Sequence, residues 1–279
     1  MKNVRIIPRL DIKGENLVKG INLEGLRVIG DPSAYAKKYY RDGADEIYYE
    51  DTVASLYGRN NLQAVVSKTA KQISIPLVVG GGLRSIDDIK NILKAGADKV
   101  SINSAAVKDK DFIRKAVSYF GSSTILLNIN YKSWPNNNFL KKKNTTVSHG
   151  EIKDIKNWNK YFQVYIENGR EQTGLDAYNW AIEAEELGVG EIILTSIDKE
   201  GLKKGFENFL TKKLCSKLNI PVILSGGCGS IQDTSKIIKE TNCDATCIAS
   251  AFHYKAFEIK ELKKHLSKEN IGVTFHEQF

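Results

Sequence analysis

Metal-ligating and redox chemistry have little to work with in this chain. Its 279 residues hold four cysteines, Cys215, Cys228, Cys243 and Cys247, with no Cys-x-x-Cys pair and no histidine beside them at zinc-ligand spacing. They read as reduced thiols, and neither a metal nor another cofactor is expected. No apolar run approaches the ~18 residues of a membrane helix, and the opening "MKNVRIIPRLDIKG" enters a strand without the apolar core of a signal peptide. The expectations are no membrane attachment and a cytoplasmic location. A concentrated basic patch is missing too. The net charge of +8 is spread along amphipathic segments, and the one dense run, "LKKKN" at 140 to 144, falls in loop-like text. That argues against nucleic acid and for a lysine-rich surface suited to anionic substrates or an acidic partner.

What the chain does have is a repeated unit. Short runs rich in Ile and Val recur at "RIIPRL", "EIYYED", "IPLVVG", "DKVSIN", "TILLNI", "EIILTS", "IPVILS" and "ATCIAS", separated by helical patterns such as "SIDDIKNILKAGA" that stop at glycine. Strands that are apolar throughout are buried on both faces, and eight such βα units predict an α/β fold of the closed (β/α)₈ barrel type, one domain over 1–279. "IPLVVGGGLRSIDDIKNILK" at Ile75 matches "IPVILSGGCGSIQDTSKIIK" at Ile220, and the same displacement sets "GADEI" at 43 to 47 on "GVGEI" at 188 to 192. Two half-barrels therefore read as copies of one ancestral unit. Residues 131 to 173, rich in Asn, Lys and aromatics, break the rhythm. They read as an extended loop after the fifth strand on the active-site face, a lid or partner contact rather than a separate domain.

Residues that close the strands of such a barrel share one mouth. Asp11, Asp51, Asp198 and Glu200 stand there, and Lys19 reaches in from the first loop, an acid/base set if they converge and helix caps or solvated loop residues if they do not. "GGGLRS" at 80 to 85 and "SGGCGS" at 225 to 230 follow strands three and seven, while "INSAA" and "IASAF" follow strands four and eight. Backbone N–H groups freed by glycine at helix starts hold anions, so the duplicated turns predict two phosphate sites. The first would use Gly81, Gly82, Asn103 and Ser104; the second would use Gly201, Gly226, Gly227 and Ser250. At the opposite end, Arg5, Glu46, Lys99 and Glu191 begin strands one, two, four and six. They form either an ion-paired plug or a gate.

Taken together, "RIIPRLDIKGENLVKGINLEGLRVIGDP", "DGADEIYYEDTVAS", "VVGGGLRS", "AGADKVSINSAAV", "EIILTSIDKEGLKKGF" and "SGGCGS" resemble the cyclase subunit of imidazole glycerol phosphate synthase, HisF, over nearly the full chain. The resemblance implies a lyase of histidine biosynthesis that takes ammonia from a HisH-like glutaminase docked on the N-terminal barrel face. Ammonia would pass a gate at Arg5, Glu46, Lys99 and Glu191, follow the axis, and meet a phosphorylated substrate at the far mouth. Asp98 matches a position that faces the glutaminase.

The chemical end departs from the family pattern. Of the two acid/base aspartates, the first is kept as Asp11, but the second falls on Asn130, an amide that cannot exchange a proton near neutral pH. Arg9 replaces a cysteine, Glu200 an aspartate and Leu202 a threonine, and the loop after the fifth strand is longer. Because these changes gather at one end, the leading expectation is a diverged paralogue serving amidino-sugar and lipopolysaccharide biosynthesis. The alternatives are a genuine cyclase of histidine biosynthesis and a non-catalytic, ammonia-conducting activator of the glutaminase.

Overall fold

The computed structural model describes residues 2–54, 62–135 and 158–276. All eight expected strands form. They are β1 (Arg5–Lys13), β4 (Ile47–Asp51), β5 (Leu77–Gly80), β6 (Lys99–Ile102), β7 (Ile125–Pro135), β10 (Glu191–Ser196), β11 (Val222–Ser225) and β12 (Ala245–Ile248), parallel and hydrogen-bonded in that order. The β7–β10 pairing, from Leu126 against Glu191 to Tyr131 against Ser196, closes the barrel. The period-two alternation of a strand gives each of them one row of side chains toward the helices and one toward the lumen. Ile7, Tyr48, Val78, Leu126, Ile193, Ile223, Ala245 and Cys247 make an apolar cluster of their own inside, distinct from the larger core under the helices.

The duplication is physical as well as textual. Ser85 caps the helix Ile86–Lys94 and Asp88 returns the bond, and Ser230 and Asp233 do the same for Ile231–Thr241. Each reciprocal cap satisfies helix-end N–H groups and is worth ~1 kcal/mol. A second device recurs at the barrel floor. Asp45, Asp98 and Asp244 each precede a strand and accept a bond from a backbone N–H at the start of the neighbouring one, Ile6 at 2.7 Å, Leu77 at 2.8 Å and Val222 at 2.9 Å. Exposed Asp98 is therefore one of a set of floor ties, whatever else it touches.

Two additions sit at the mouth. A hairpin of β2 (Asn16–Ile21) and β3 (Glu24–Gly30) pairs back onto the end of β1, and Asn22 fastens it to the loop after β10 by a bond to the Ile197 carbonyl. The other addition corrects the expected loop at 131 to 173. β7 runs past the barrel to Pro135 and pairs antiparallel with β8 (Lys160–Ile166), which pairs in turn with β9 (Glu171–Asp176). Aromatic packing holds this small sheet down, with Phe162 against Tyr131, Trp158 and Phe209. Residues 136 to 157 of the expected loop, including the basic run, lie outside the described residues. Among the described residues no helix is long and apolar enough to cross a membrane.

Candidate active site

The four floor charges converge. Arg5 donates to Glu46 at 2.8 Å and to Glu191 at 2.6 Å, while Lys99 lies 2.5 Å from Glu191 and 3.2 Å from Glu46, so two cations and two carboxylates alternate in a closed ring. Burial pushes the Glu46 carboxyl up, against the pull of Lys99 and Arg5. Glu191 is also buried, but its bonds from Arg5 and Lys99 prevail and hold its carboxyl down.

At the mouth, the first strand delivers Asp11 into a buried ionic knot. Arg9 Nε bonds one carboxylate oxygen at 2.8 Å and Lys19 Nζ the other at 2.6 Å; Lys19 also binds Glu200. The β2–β3 hairpin, rather than a loop, carries Lys19 inward. Burial alone would raise the Asp11 carboxyl, but Arg9 and Lys19 outweigh it and hold it well below the usual carboxylate range. Asp11 is thus a fixed anion with both oxygens occupied. Arg9, fully buried, reaches across to Thr195 Oγ1 at 3.1 Å and Ser225 Oγ at 3.4 Å and lies 5.6 Å from the centre of the Tyr48 ring. Its guanidinium spans the lumen between the apolar cluster and the mouth.

Asn130, at the end of the barrel portion of β7, is buried, and its Oδ1 has no hydrogen-bond partner among the described residues. It lines a cleft together with Glu50, Gly81, Gly82, Asn103 and Ser104, and Asn103 Oδ1 is likewise unpartnered. Arg84 and Lys108 supply positive charge at the same cleft. Gly81 and Gly82 have φ of +94° and +71°, and a Cβ on Gly81 would come within 2.4 Å of the Asp51 carbonyl oxygen, so the turn is built for glycine. A glycine turn between strand and helix with Arg84 beside it is suited to an anion, while Lys108 at the same cleft is paired with Glu167 at 2.6 Å.

The remaining expected residues are placed differently from one another. Asp51 borders the cleft, yet its Oδ1 accepts from the N–H groups of Val53 and Ala54 at 2.9 Å each and organises its own loop. Asp198 stands apart from the Asp11 knot and accepts from Ser133 N at 2.6 Å, tying down the β7 extension. In the second half-barrel Gly226 and Gly227 repeat the left-handed conformation at +94° and +108°, and Ser250 opens the short helix Ser250–His253. Here the loop after β10 lies over the turn: Gly205 N donates to the Gly227 carbonyl at 2.9 Å, and Gly201 packs against the Gly20 carbonyl of the hairpin.

Sequence reasoning missed Glu50, Tyr48 and Asn128. Glu50 is buried on β4 beside Asp11 in register, takes a hydrogen bond from Tyr48 Oη, and receives another from Asn128 Nδ2 at 3.3 Å. The signal was available: if Glu46 faces the lumen, alternation puts Tyr48 and Glu50 there too and turns Asp51 away. Burial, resisted by Arg9 and the Tyr48 bond, pushes the Glu50 carboxyl up to about 7.

A closed (β/α)₈ barrel with duplicated halves, a charged floor and an acid-lined mouth is the class of molecule these features define. Residues 5–258 match the family model described as "Histidine biosynthesis protein". The chain is 43% identical to "Imidazole glycerol phosphate synthase subunit HisF" of Methanococcus vannielii, covering 98% of this chain and 99% of the relative. It is 44% identical to the subunit of the same name from Methanopyrus kandleri over 96% and 97% of the two chains, and 49% identical to that of Legionella pneumophila over 84% and 99%. The chain belongs to the HisF family of histidine biosynthesis proteins. None of these relatives carries a name that points to amidino sugars or lipopolysaccharide, so the leading sequence expectation draws no support from them and its first alternative does.

Proposed function

We propose that this chain is the ammonia-using cyclase subunit of an imidazole glycerol phosphate synthase, the activity in the names of its relatives. The observation that carries the reading is the joining, in one barrel of that family, of a closed charge ring at the floor and a glycine-built anion cradle at the mouth. Ammonia released by a HisH-like glutaminase would enter past Arg5, Glu46, Lys99 and Glu191. A phosphorylated substrate would be held by Gly81, Gly82 and Ser104 on one side and by Gly201, Gly226, Gly227 and Ser250 on the other. The glutaminase would dock on the N-terminal face that bears Asp98.

The test is formation of imidazole glycerol phosphate from its phosphorylated precursor and ammonium salt by the purified chain, with complementation of a histidine auxotroph that lacks the cyclase. Growth and turnover are the expected results; absence of both refutes the proposal. A second reading, an altered phosphorylated acceptor such as an amidino-sugar precursor, is favoured by Asn130 and by the Arg9 guanidinium that crowds Asp11. It predicts that a cognate glutaminase is stimulated by the chain while the histidine precursor is left untouched.

A further inference from the structure

We propose that Glu50 is a catalytic residue of this barrel, supplying across the cleft the acid/base carboxyl that position 130 lacks. The inference rests on the function proposed above and goes beyond it by naming the group that moves the proton.

Three observations converge on Glu50. It lines the same cleft as Asn130 and the Gly81–Gly82 turn, so a substrate whose phosphate sat on that turn would bring its neighbouring carbons to the carboxyl. Its position is built rather than incidental. Tyr48 Oη and Asn128 Nδ2 both donate to Oε2, Thr195 Oγ1 fixes the Asn128 amide by donating to its Oδ1 at 3.0 Å, and Gly80 leaves the space the carboxylate occupies. A Cβ at position 80 would lie 2.7 Å from Glu50 Oε2. Finally, Glu50 breaks the internal symmetry. The alignment that sets "GADEI" on "GVGEI" sets Glu50 on Thr195, a hydroxyl in the matching place of the second half.

Asp11 cannot take this part itself. Both its oxygens are bonded to cations, which fix it as an anion. Two carboxyl groups on adjacent strands with environments that drive their proton affinities apart mark an acid/base pair with divided roles. The Glu50 carboxyl, pushed up to about 7 by burial, is the member that exchanges a proton at neutral pH. In the condensation of ammonia with a substrate carbonyl, the nitrogen bonds to carbon as the C=O π pair moves to oxygen. Glu50 takes one proton from that nitrogen and returns it to the oxygen, giving a carbinolamine. In the second half of the reaction it again carries a proton from nitrogen to the hydroxyl, which leaves as water as C=N forms. Ammonia and carbonyl become imine and water, and Glu50 ends as the carboxylate it began as.

The experiment measures kcat and kcat/KM for imidazole glycerol phosphate formation from pH 6 to 9, at constant concentration of unprotonated ammonia. Wild type is expected to gain activity as pH rises through about 7. Glu50→Gln is expected to lose roughly 10²- to 10⁴-fold in kcat, together with that pH limb. Glu50→Asp should keep the limb, and Asn130→Asp placed in the Glu50→Gln background should restore turnover by returning a carboxyl to the cleft. Unchanged affinity for inorganic phosphate shows that the Glu50→Gln cleft is intact. Wild-type rates in Glu50→Gln, or a reduced rate that keeps the limb, overturn this inference and leave the function standing. A wild-type chain without turnover overturns the function, and this inference with it.

Discussion

Replacing Lys99 with Met should expose the energetic logic of the floor ring. Lys99 sits 2.5 Å from Glu191 and 3.2 Å from Glu46, and its side chain is only 20% exposed. Its loss leaves Arg5 as the one cation of the ring against two carboxylates, of which the Glu46 side chain is 2% exposed. Breaking a buried pair typically costs ~3–5 kcal/mol; because Arg5 still bonds both carboxylates, about 1–3 kcal/mol is expected here. At ~2–4 °C per kcal/mol for a chain of this size, Tm should fall by about 2–12 °C. The pH dependence carries the sign. Burial already pushes the Glu46 carboxyl up in the folded protein, and losing Lys99 pushes it further. A carboxyl whose folded-state pKa lies above its unfolded value favours folding below the unfolded pKa and loses that contribution as pH rises through the folded one. The Tm deficit of Lys99→Met should therefore be larger at pH 8 than at pH 5. Glu46→Gln in the same background should recover more than half of the loss. Thermal unfolding followed by circular dichroism at both pH values is the assay. A deficit that is flat with pH, or a double variant no better than the single one, refutes the assignment of Glu46 as the residue left unbalanced.

Further tests address the mouth. Gly81→Ala forces a side chain into a φ of +94° and against the Asp51 carbonyl, so it should cost ~1–3 kcal/mol in denaturant unfolding. The same variant should weaken inorganic phosphate binding at least tenfold by calorimetry. Arg9→Met removes one of the two cations on Asp11, and the Asp11 carboxyl should titrate nearer the ordinary carboxylate range, read by ¹³C chemical shift. Since a depressed carboxyl stabilises the fold above its unfolded pKa, this variant should also forfeit part of the stability gained on raising the pH from strongly acidic conditions.

The barrel was legible because its strands are short, uniformly apolar and punctuated by glycine, and because the two halves of the text repeat. The floor ring was legible for the same reason: charges at the start of a strand, or one residue before it as at Glu46, followed by a residue buried under the helices, face the lumen by alternation. The aromatic text after β7 was not. "YKSWP" alternates weakly, and what makes it a strand is its pairing with Tyr161 to Tyr165, a contact between segments that lie far apart in the chain. Glu50 escaped for a different reason. Attention to the last residue of the strand favoured Asp51, whereas the alternation counted from Glu46 selects Glu50, and its neighbour proves to be a loop cap. Nor could text alone show that Arg9 and Lys19 would close on the two oxygens of one carboxylate.

The guanidinium that bridges the interior has a bearing on cargo. Burial would draw the Arg9 pKa down, but Asp11 and the other anionic groups around it hold it well above its usual value, so it keeps its charge at every physiological pH. Asp11, 2.8 Å from its Nε, balances that charge, so the interior carries a buried ion pair rather than a lone cation. Under the proposed function the ammonia route passes this ion pair, and ammonia would cross it without the desolvation cost that ammonium would bear.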